Sequence, residues 1–461
     1  MKKFNKTISL ALSAILSIGI LAGCGGSEGG SAKTDVVRVW TNDAHSKELI
    51  TEMVSKYNET TGKKEGIRIE YTVYGSDFNN VLNMAIQNDD AAELFKVNND
   101  VRERIEKNEL MALEDIPGME DFVKSYDGYL VDGTNVVEGK TYHVPFQTTT
   151  VGLIYNKDLF KAAGIVDENG EAMPPKTWDE MREYAKKITD AEKKVYGFAF
   201  PLKWASAFNW DLRKPWGASL ENATSIFNYS TGKFDFQAFK PAMEWLLAVK
   251  EDGSCFPGAE GLDNDAARAQ FAEGRVGMMI GASWDVGVFN EQFVAKCDWG
   301  VSRVPVMNTD ERYECEMSVG PLLAVNAKTD EALKEKVGKV YQWFNSDEFI
   351  KALFEAGKVI PYKQSIVDGA SLENAQQGWA DFAALVEESV ALPISPKVTL
   401  NGDSEYTVLS RIWAGSVTVD EGLADIEKRY NEALEAGIAD GSVVIEDYTN
   451  PEFNREFIEV K

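Results

Sequence analysis

The sequence predicts an α/β protein built as two lobes. Three observations carry that expectation. Near the start, a strand, a helix and a second strand follow one another at the spacing of a βαβ unit, which implies a parallel sheet. The same alternation of strand-like and helix-like periodicity returns further along the chain. And 461 residues are far more than one small hydrophobic core can serve.

The elements follow in order. Lys2, Lys3 and Lys6 precede an apolar run over residues 8–21, the length of a secretory signal and too short to span a bilayer. Leu21-Ala22-Gly23-Cys24 closes that run. Small residues ahead of a cysteine resemble the bacterial lipoprotein signal. Residues 1–23 are therefore expected to be removed, leaving Cys24 lipidated and residues 24–34, rich in glycine and serine, as a flexible leash. Acyl chains at one cysteine suffice to hold a protein on a membrane without a spanning helix.

Residues 36–40 read as a short apolar strand. Ser46 is placed to cap a helix faced by Leu49, Ile50, Met53, Val54 and Tyr57, with Gly62 at its end. Ile67, Ile69, Tyr71 and Val73 alternate with polar residues, which is strand periodicity. A helix carrying Val81, Leu82, Ala85 and Ile86 comes next, then a strand over residues 93–97 that ends at Asn98-Asn99-Asp100. Residues 151–156, 276–280 and 322–325 read as further strands. Thr177 with Glu180, and Thr418 with Glu421, have the spacing of capping boxes at two helix starts. A helix faced by Leu333, Val337, Val340, Tyr341 and Phe344 lies between them.

Composition excludes several classes. The formal net charge is −26, and loss of the three N-terminal lysines makes it more acidic still. Such a body is repelled by nucleic acid and by anionic lipid, so contact with the membrane is expected through the lipid alone. Beyond Cys24 there remain Cys255, Cys297 and Cys315. An odd number without metal-ligand spacing argues against a disulfide framework or a zinc site. Free buried thiols are expected, with a single Cys297–Cys315 bridge left open. Asp263-Asn264-Asp265 lacks the glycine that a calcium loop needs next. Motifs for metalloproteases, nucleophile elbows and phosphate loops are absent. No cofactor, no metal and no enzymatic activity are expected.

Five segments, in order, resemble the family 1 extracellular solute-binding proteins of bacterial ABC transporters, the group that includes maltose-binding protein. They are Val37-Arg38-Val39-Trp40-Thr41-Asn42; Tyr142-His143-Val144-Pro145-Phe146, running on to Tyr155-Asn156-Lys157-Asp158-Leu159-Phe160 and Pro175-Lys176-Thr177-Trp178-Asp179-Glu180; Phe271-Ala272-Glu273-Gly274-Arg275-Val276-Gly277-Met278-Met279 with Ser283-Trp284; Trp299-Gly300-Val301 with Val304-Pro305; and Ser318-Val319-Gly320 through to Gly357-Lys358-Val359-Ile360-Pro361. The resemblance implies the two-lobed periplasmic-binding-protein-like fold of type II. Lobe one would be residues 35–146 plus 305–360, and lobe two residues 147–304 plus 361–461. The chain would cross near 147–150, near 304–307 and near Pro361. It further implies a monomer that captures a carbohydrate, an oligosaccharide, between its lobes and delivers it to the permease subunits of an ABC transporter on the outer face of the cell membrane.

Site candidates come from two chemistries. In open α/β sheets ligands lie beyond the carboxyl ends of strands. Asn42, Asp43, His45, Asn99, Asp100 and Gln147 stand at such ends, where the family places ligand contacts. Amide and carboxylate side chains suit sugar hydroxyls, although Asn and Asp also favour turns for backbone reasons. The family often carries a carboxylate where this chain has Gln147, which weakens that contact. Aromatic rings supply the second chemistry, since a pyranose face stacks on an indole. Trp284 matches a stacking position of the family. Trp204, Trp210 and Trp216 share one aromatic-rich segment of lobe two, and Tyr406 lies on a segment that lines the rim in relatives. Trp178, Trp245 and Trp343 sit on helical faces and are expected in the core. The rival readings are the same fold around a metal ion, polyamine or peptide, and a lipid-anchored glycoside hydrolase, for which two carboxylates would suffice.

Overall fold

The computed structural model describes residues 34–453, apart from residues 76, 98–100, 132–133 and 222–225. The expected signal segment, with Cys24, lies outside the described residues. No helix among the described residues is long and apolar enough to cross a membrane.

Among the described residues, thirteen strands build three larger sheets, beside two short two-stranded ribbons. In chain order they are β1 (Asp35–Thr41), β2 (Ile67–Val73), β3 (Leu94–Phe95), β4 (Leu110–Met111), β5 (Gln147–Thr149), β6 (Val151–Asn156), β7 (Tyr196–Phe198), β8 (Val276–Ala282), β9 (Trp299–Ser302), β10 (Cys315–Gly320), β11 (Ala324–Asn326), β12 (Ile360–Pro361) and β13 (Ser389–Ala391).

The first lobe holds the sheet β2-β1-β3-β11-β4. β1 runs parallel to β2, Asp35 facing Ile67 and Thr41 facing Val73, and parallel to β3. The expected βαβ unit is therefore present. β11 enters antiparallel to both β3 and β4, so the sheet is mixed rather than purely parallel. Val37, Val39, Ile67 and Ile69 bury one face of this sheet against the helix Lys47–Glu59 and against Val337, Tyr341 and Phe344 of the helix Lys334–Phe344.

Three local expectations are corrected. Ser46 precedes the helix Lys47–Glu59 but its hydroxyl makes no capping bond, because the 3-10 turn Ala44–Ser46 leads straight into the helix. Gly62 does not end that helix. The break comes at Thr60, a short helix Thr61–Glu65 follows, and Gly66 in the left-handed region (φ 67°) closes it, as suits a residue without a Cβ. The strand at 93–97 is shorter than its sequence pattern, Leu94–Phe95 only.

The second lobe holds the sheet β9-β6-β8-β7. β6 pairs antiparallel with β8 and β9, and only β7 runs parallel to β8. All residues of β6 and β8 are buried, which explains why they read as continuous apolar runs. The helix Trp178–Ile188 packs beneath, started by the expected capping box: the Glu180 N–H donates to Thr177 Oγ1 at 3.1 Å and the Thr177 N–H to the Glu180 carboxylate at 3.4 Å. Thr418 and Glu421 form the second box, at the head of the helix Val419–Asp440.

A third sheet, β12-β5-β10-β13, lies between the lobes. β10 pairs antiparallel with β5 and parallel with β13. Cys315, at its start, belongs to the core of the second lobe, while Leu322 and Leu323 just beyond it belong to the first. Val304 and Val306 are buried in the second-lobe core, and Val306 bridges to Thr177. The crossing expected at 304–307 thus falls at β10 instead. The segments of the other two expected crossings, near 147–150 and near Pro361, hold β5 and β12.

Candidate ligand-binding site

Between the lobes lies a cleft of about 1110 Å³, a volume suited to more than one sugar ring. Its first-lobe wall is the carboxyl end of β1, where Asn42, Asp43 and His45 line it, together with Gln147 and Thr149 of β5 and Lys358. Asn42 and His45 are exposed. Asp43 is held by an ion pair with Lys96, and its second carboxylate oxygen is buried without a hydrogen-bond partner among the described residues. Asn99 and Asp100 lie outside the described residues.

The second-lobe wall is built on the end of β8. Ser283 and Trp284 follow the strand, and Trp284 is the one tryptophan that stands exposed among the described residues, at 39 %. Its indole meets that of Trp210 edge to face, centroids 4.4 Å apart. Trp204 also lines the cleft. Trp210 does not. It stands behind Trp284, at a small void of about 10 Å³ that Trp204, Asp211 and Asp285 share.

Two expected contacts are corrected. Trp216 is buried in the second-lobe core, stacked on Trp178 at 4.8 Å. It lies six residues beyond Trp210 in a short helix that turns its ring inward. Tyr406 does not line the cleft. It begins a helix, Glu405–Trp413, whose Val408, Leu409, Ile412 and Trp413 pack into the core. Trp178 and Trp245 are core residues, and Trp343 packs against the first-lobe core. Cys255 and Cys315 are buried and Cys297 half-buried, and all three are free thiols.

The structure adds to the cleft charged residues that the sequence did not place there. Asp263 and Asp265 line the cleft from the start of the helix Asn264–Ala272, and Arg268 one turn on. Arg268 donates to Asp285 through Nε at 2.7 Å and pairs through Nη2 at 2.6 Å, and reaches Asp265 at 2.9 Å. The other Asp285 oxygen accepts the Ala282 N–H at 2.8 Å. Gly281 is needed here: a Cβ would lie 2.2 Å from Ile154 and 2.9 Å from that carboxylate. Burial raises the Asp285 carboxyl against the opposing pull of Arg268. Burial, and then the Asp285 charge, raises the neighbouring Asp211 well above the carboxylate range.

The electrostatic pattern is one of paired cations. Lys96 faces Asp43, Arg268 faces Asp285 and Asp265, Lys358 lies 3.9 Å from Glu291, and Lys203 lies 3.5 Å from Asp263. Gln376 donates to Glu291 at 2.6 Å. A stacking indole, amides and paired charges can hold an uncharged polar molecule.

Residues 43–351 match the family model described as bacterial extracellular solute-binding protein. A binding protein of Brucella abortus is 25% identical over 323 residues, 67% of this chain and 74% of its own length. The maltotriose-binding protein of Pyrococcus abyssi is 25% identical over 317 residues, 64% of this chain and 60% of its own. Among solved structures, the sugar-binding protein MalE of Xanthomonas citri shares the fold with a TM-score of 0.67 at 18% identity, over 89% of this chain and 100% of that one. The two-lobed α/β architecture, the central cleft and the family match agree: the chain belongs to the family of bacterial extracellular solute-binding proteins.

Proposed function

We propose that this protein captures an uncharged oligosaccharide in the interlobe cleft and hands it to the permease of an ABC transporter, while a lipid on Cys24 tethers it to the outer face of the cell membrane. The observation that carries the sugar reading is the exposed Trp284 in the same cleft as the amide and carboxylate side chains of Asn42, Asp43 and Gln147. Stacking on such a ring is worth about 0.5–1.5 kcal/mol beyond the area buried. The pairing of the cleft-lining cations Arg268 and Lys358 with carboxylates weighs against a phosphorylated or carboxylated solute. The maltotriose-binding relative supports the same class. Domain closure about β5, β10 and β12 would strip water from the ligand and present one closed shape to the permease.

Calorimetry with maltotriose, raffinose, spermidine and sn-glycerol 3-phosphate tests the reading. Saturable binding of an uncharged sugar, recovered chemically unaltered, is expected. Binding of the phosphate or the polyamine alone would overturn it, and a cleaved sugar would point to the glycosidase reading instead.

A further inference from the structure

The segment 208–217 distributes its side chains to four different places. It opens with a π-helical turn, Phe208–Arg213, and continues into the short helix Lys214–Gly217. Wide turns of this kind concentrate at functional sites, where they re-aim side chains. Trp210 reaches the exposed Trp284, and Asp211 faces the small void behind them. Trp216 enters the core. Arg213 and Lys214 turn toward β10, the strand that crosses between the lobes.

Lys214 is the unusual member. Its side chain is 3 % exposed, and lysine is almost never buried without a specific partner. Two kinds of partner are present. The ammonium lies 4.8 Å from the centroid of the Trp210 ring, within the range of a cation–π contact. It also pairs with Glu316 and donates to Ser318 Oγ at 3.3 Å. Glu316 and Ser318 both lie on β10, and Ser318 faces Thr149 of β5 in the register. Arg213 completes the cluster, reaching Glu316 at 2.5 Å and Asn209 at 2.8 Å. A buried ion pair adds little net stability over an apolar replacement, and the Lys214 ammonium is confined between the Trp210 ring and β10. Here the geometry runs from the cleft to the crossing strand: Trp284 against Trp210, Trp210 over Lys214, and Lys214 on Glu316 and Ser318.

We propose that Lys214 is a positioning residue for the ligand cleft: it holds Trp210, and through it Trp284, against the crossing strand β10, so that the orientation of the stacking ring and the setting of the lobes are coupled. The part concerning ligand rests on the sugar reading above; the part concerning the rings does not. Lys214 touches no ligand in this account and acts only through the aromatic pair.

The test uses the secreted chain without ligand first. Two indoles at 4.4 Å couple in the near-ultraviolet circular dichroism spectrum. The difference between the parent and Trp284→Phe isolates the Trp284 contribution. Measured again with Lys214→Met in both proteins, that difference is expected to fall by half or more, with the far-ultraviolet spectrum unchanged. Trp210→Leu should erase it from the other side. Calorimetry with maltotriose and raffinose is then expected to show about a tenfold weaker affinity for Lys214→Met, and little further loss when Lys214→Met is added to Trp284→Ala. Should Lys214→Met fail to fold, Ser318→Ala removes one anchor without stranding a charge, and a two- to threefold smaller effect in the same direction is expected. An unchanged difference spectrum with a lowered melting temperature would overturn the proposal and leave Lys214 a purely structural ion pair. If neither sugar binds the parent protein, the functional reading fails while the spectra still decide the role of Lys214.

Discussion

The Trp210 and Trp284 indoles meet edge to face with their centroids 4.4 Å apart, one ring half-buried and the other exposed to the cleft. The inner ring backs the outer one, which is exposed at the cleft; in the proposed reading the outer ring keeps a face for the ligand. That division of labour separates residues that set affinity from residues that set stability, even within one short segment.

Trp216, six residues from Trp210, falls on the stability side. Its ring is 2 % exposed and stacks on Trp178. Trp216→Ala should cost about 3–5 kcal/mol of folding stability, and the affinity of the molecules that remain folded should change less than twofold. Urea unfolding and calorimetry on one preparation check both. A large loss of affinity with unchanged stability would return Trp216 to the cleft.

His143 sets a pH dependence of stability. It is buried, with Asn135 Nδ2 3.1 Å from its Nδ1, and burial pushes its imidazole down to about 4 from the ordinary 6.5. The unfolded chain therefore takes up a proton near pH 6.5 while the folded one stays neutral. Stability is fully present above pH 6.5 and falls as the pH drops toward 4, by roughly 3 kcal/mol from this group. The parent should lose about that much more than His143→Gln between pH 7 and pH 4 in urea unfolding. Raised carboxyls such as Asp211 and Asp285 act in the opposite direction, but they are common to both proteins and cancel in the difference. Parallel pH profiles would show that His143 is protonated in place.

The strands β5, β10 and β12 are three of the four in the sheet between the lobes. If they act as a hinge, small-angle scattering should show a smaller radius of gyration at saturating oligosaccharide than without it. An unchanged radius would contradict closure.

The proposed lipid anchor rests on Leu21-Ala22-Gly23-Cys24. Cys24→Ala should leave the melting temperature of the folded part unaltered and move the protein from the membrane pellet to the medium or the soluble fraction. Full retention in the pellet would contradict the anchor.

Much of the fold was legible because the signals are local. β1 and β2 announce themselves by alternation, β8 by an uninterrupted apolar run, and the helices at Trp178 and Val419 by their capping boxes. What was not legible depends on contacts distant in sequence. β11 is antiparallel because it returns from the other lobe, which no period reveals. The crossing at β10 was misplaced to 304–307 because both stretches are short and β-like, and only packing shows Val304 and Val306 in the second core. In the site, Trp284 was readable from its place after a strand, whereas Trp210 and Trp216 have the same local chemistry and differ only by the turn of a π-helix. The pair of Arg268 with Asp285 joins a helix to a strand end seventeen residues on, with no motif to mark it.

Calorimetry of Trp284→Ala beside the parent protein, against whichever of maltotriose and raffinose the parent binds, tests the central claim most directly. Trp284 is exposed at the cleft, so its removal should spare the fold while deleting the stacking face. The account predicts a loss of about 1–3 kcal/mol in binding, roughly a ten- to hundredfold rise in Kd, with a melting temperature close to the parent's and partial recovery in Trp284→Phe. An affinity equal to the parent's, or a collapse in stability with affinity preserved in the folded molecules, would contradict it.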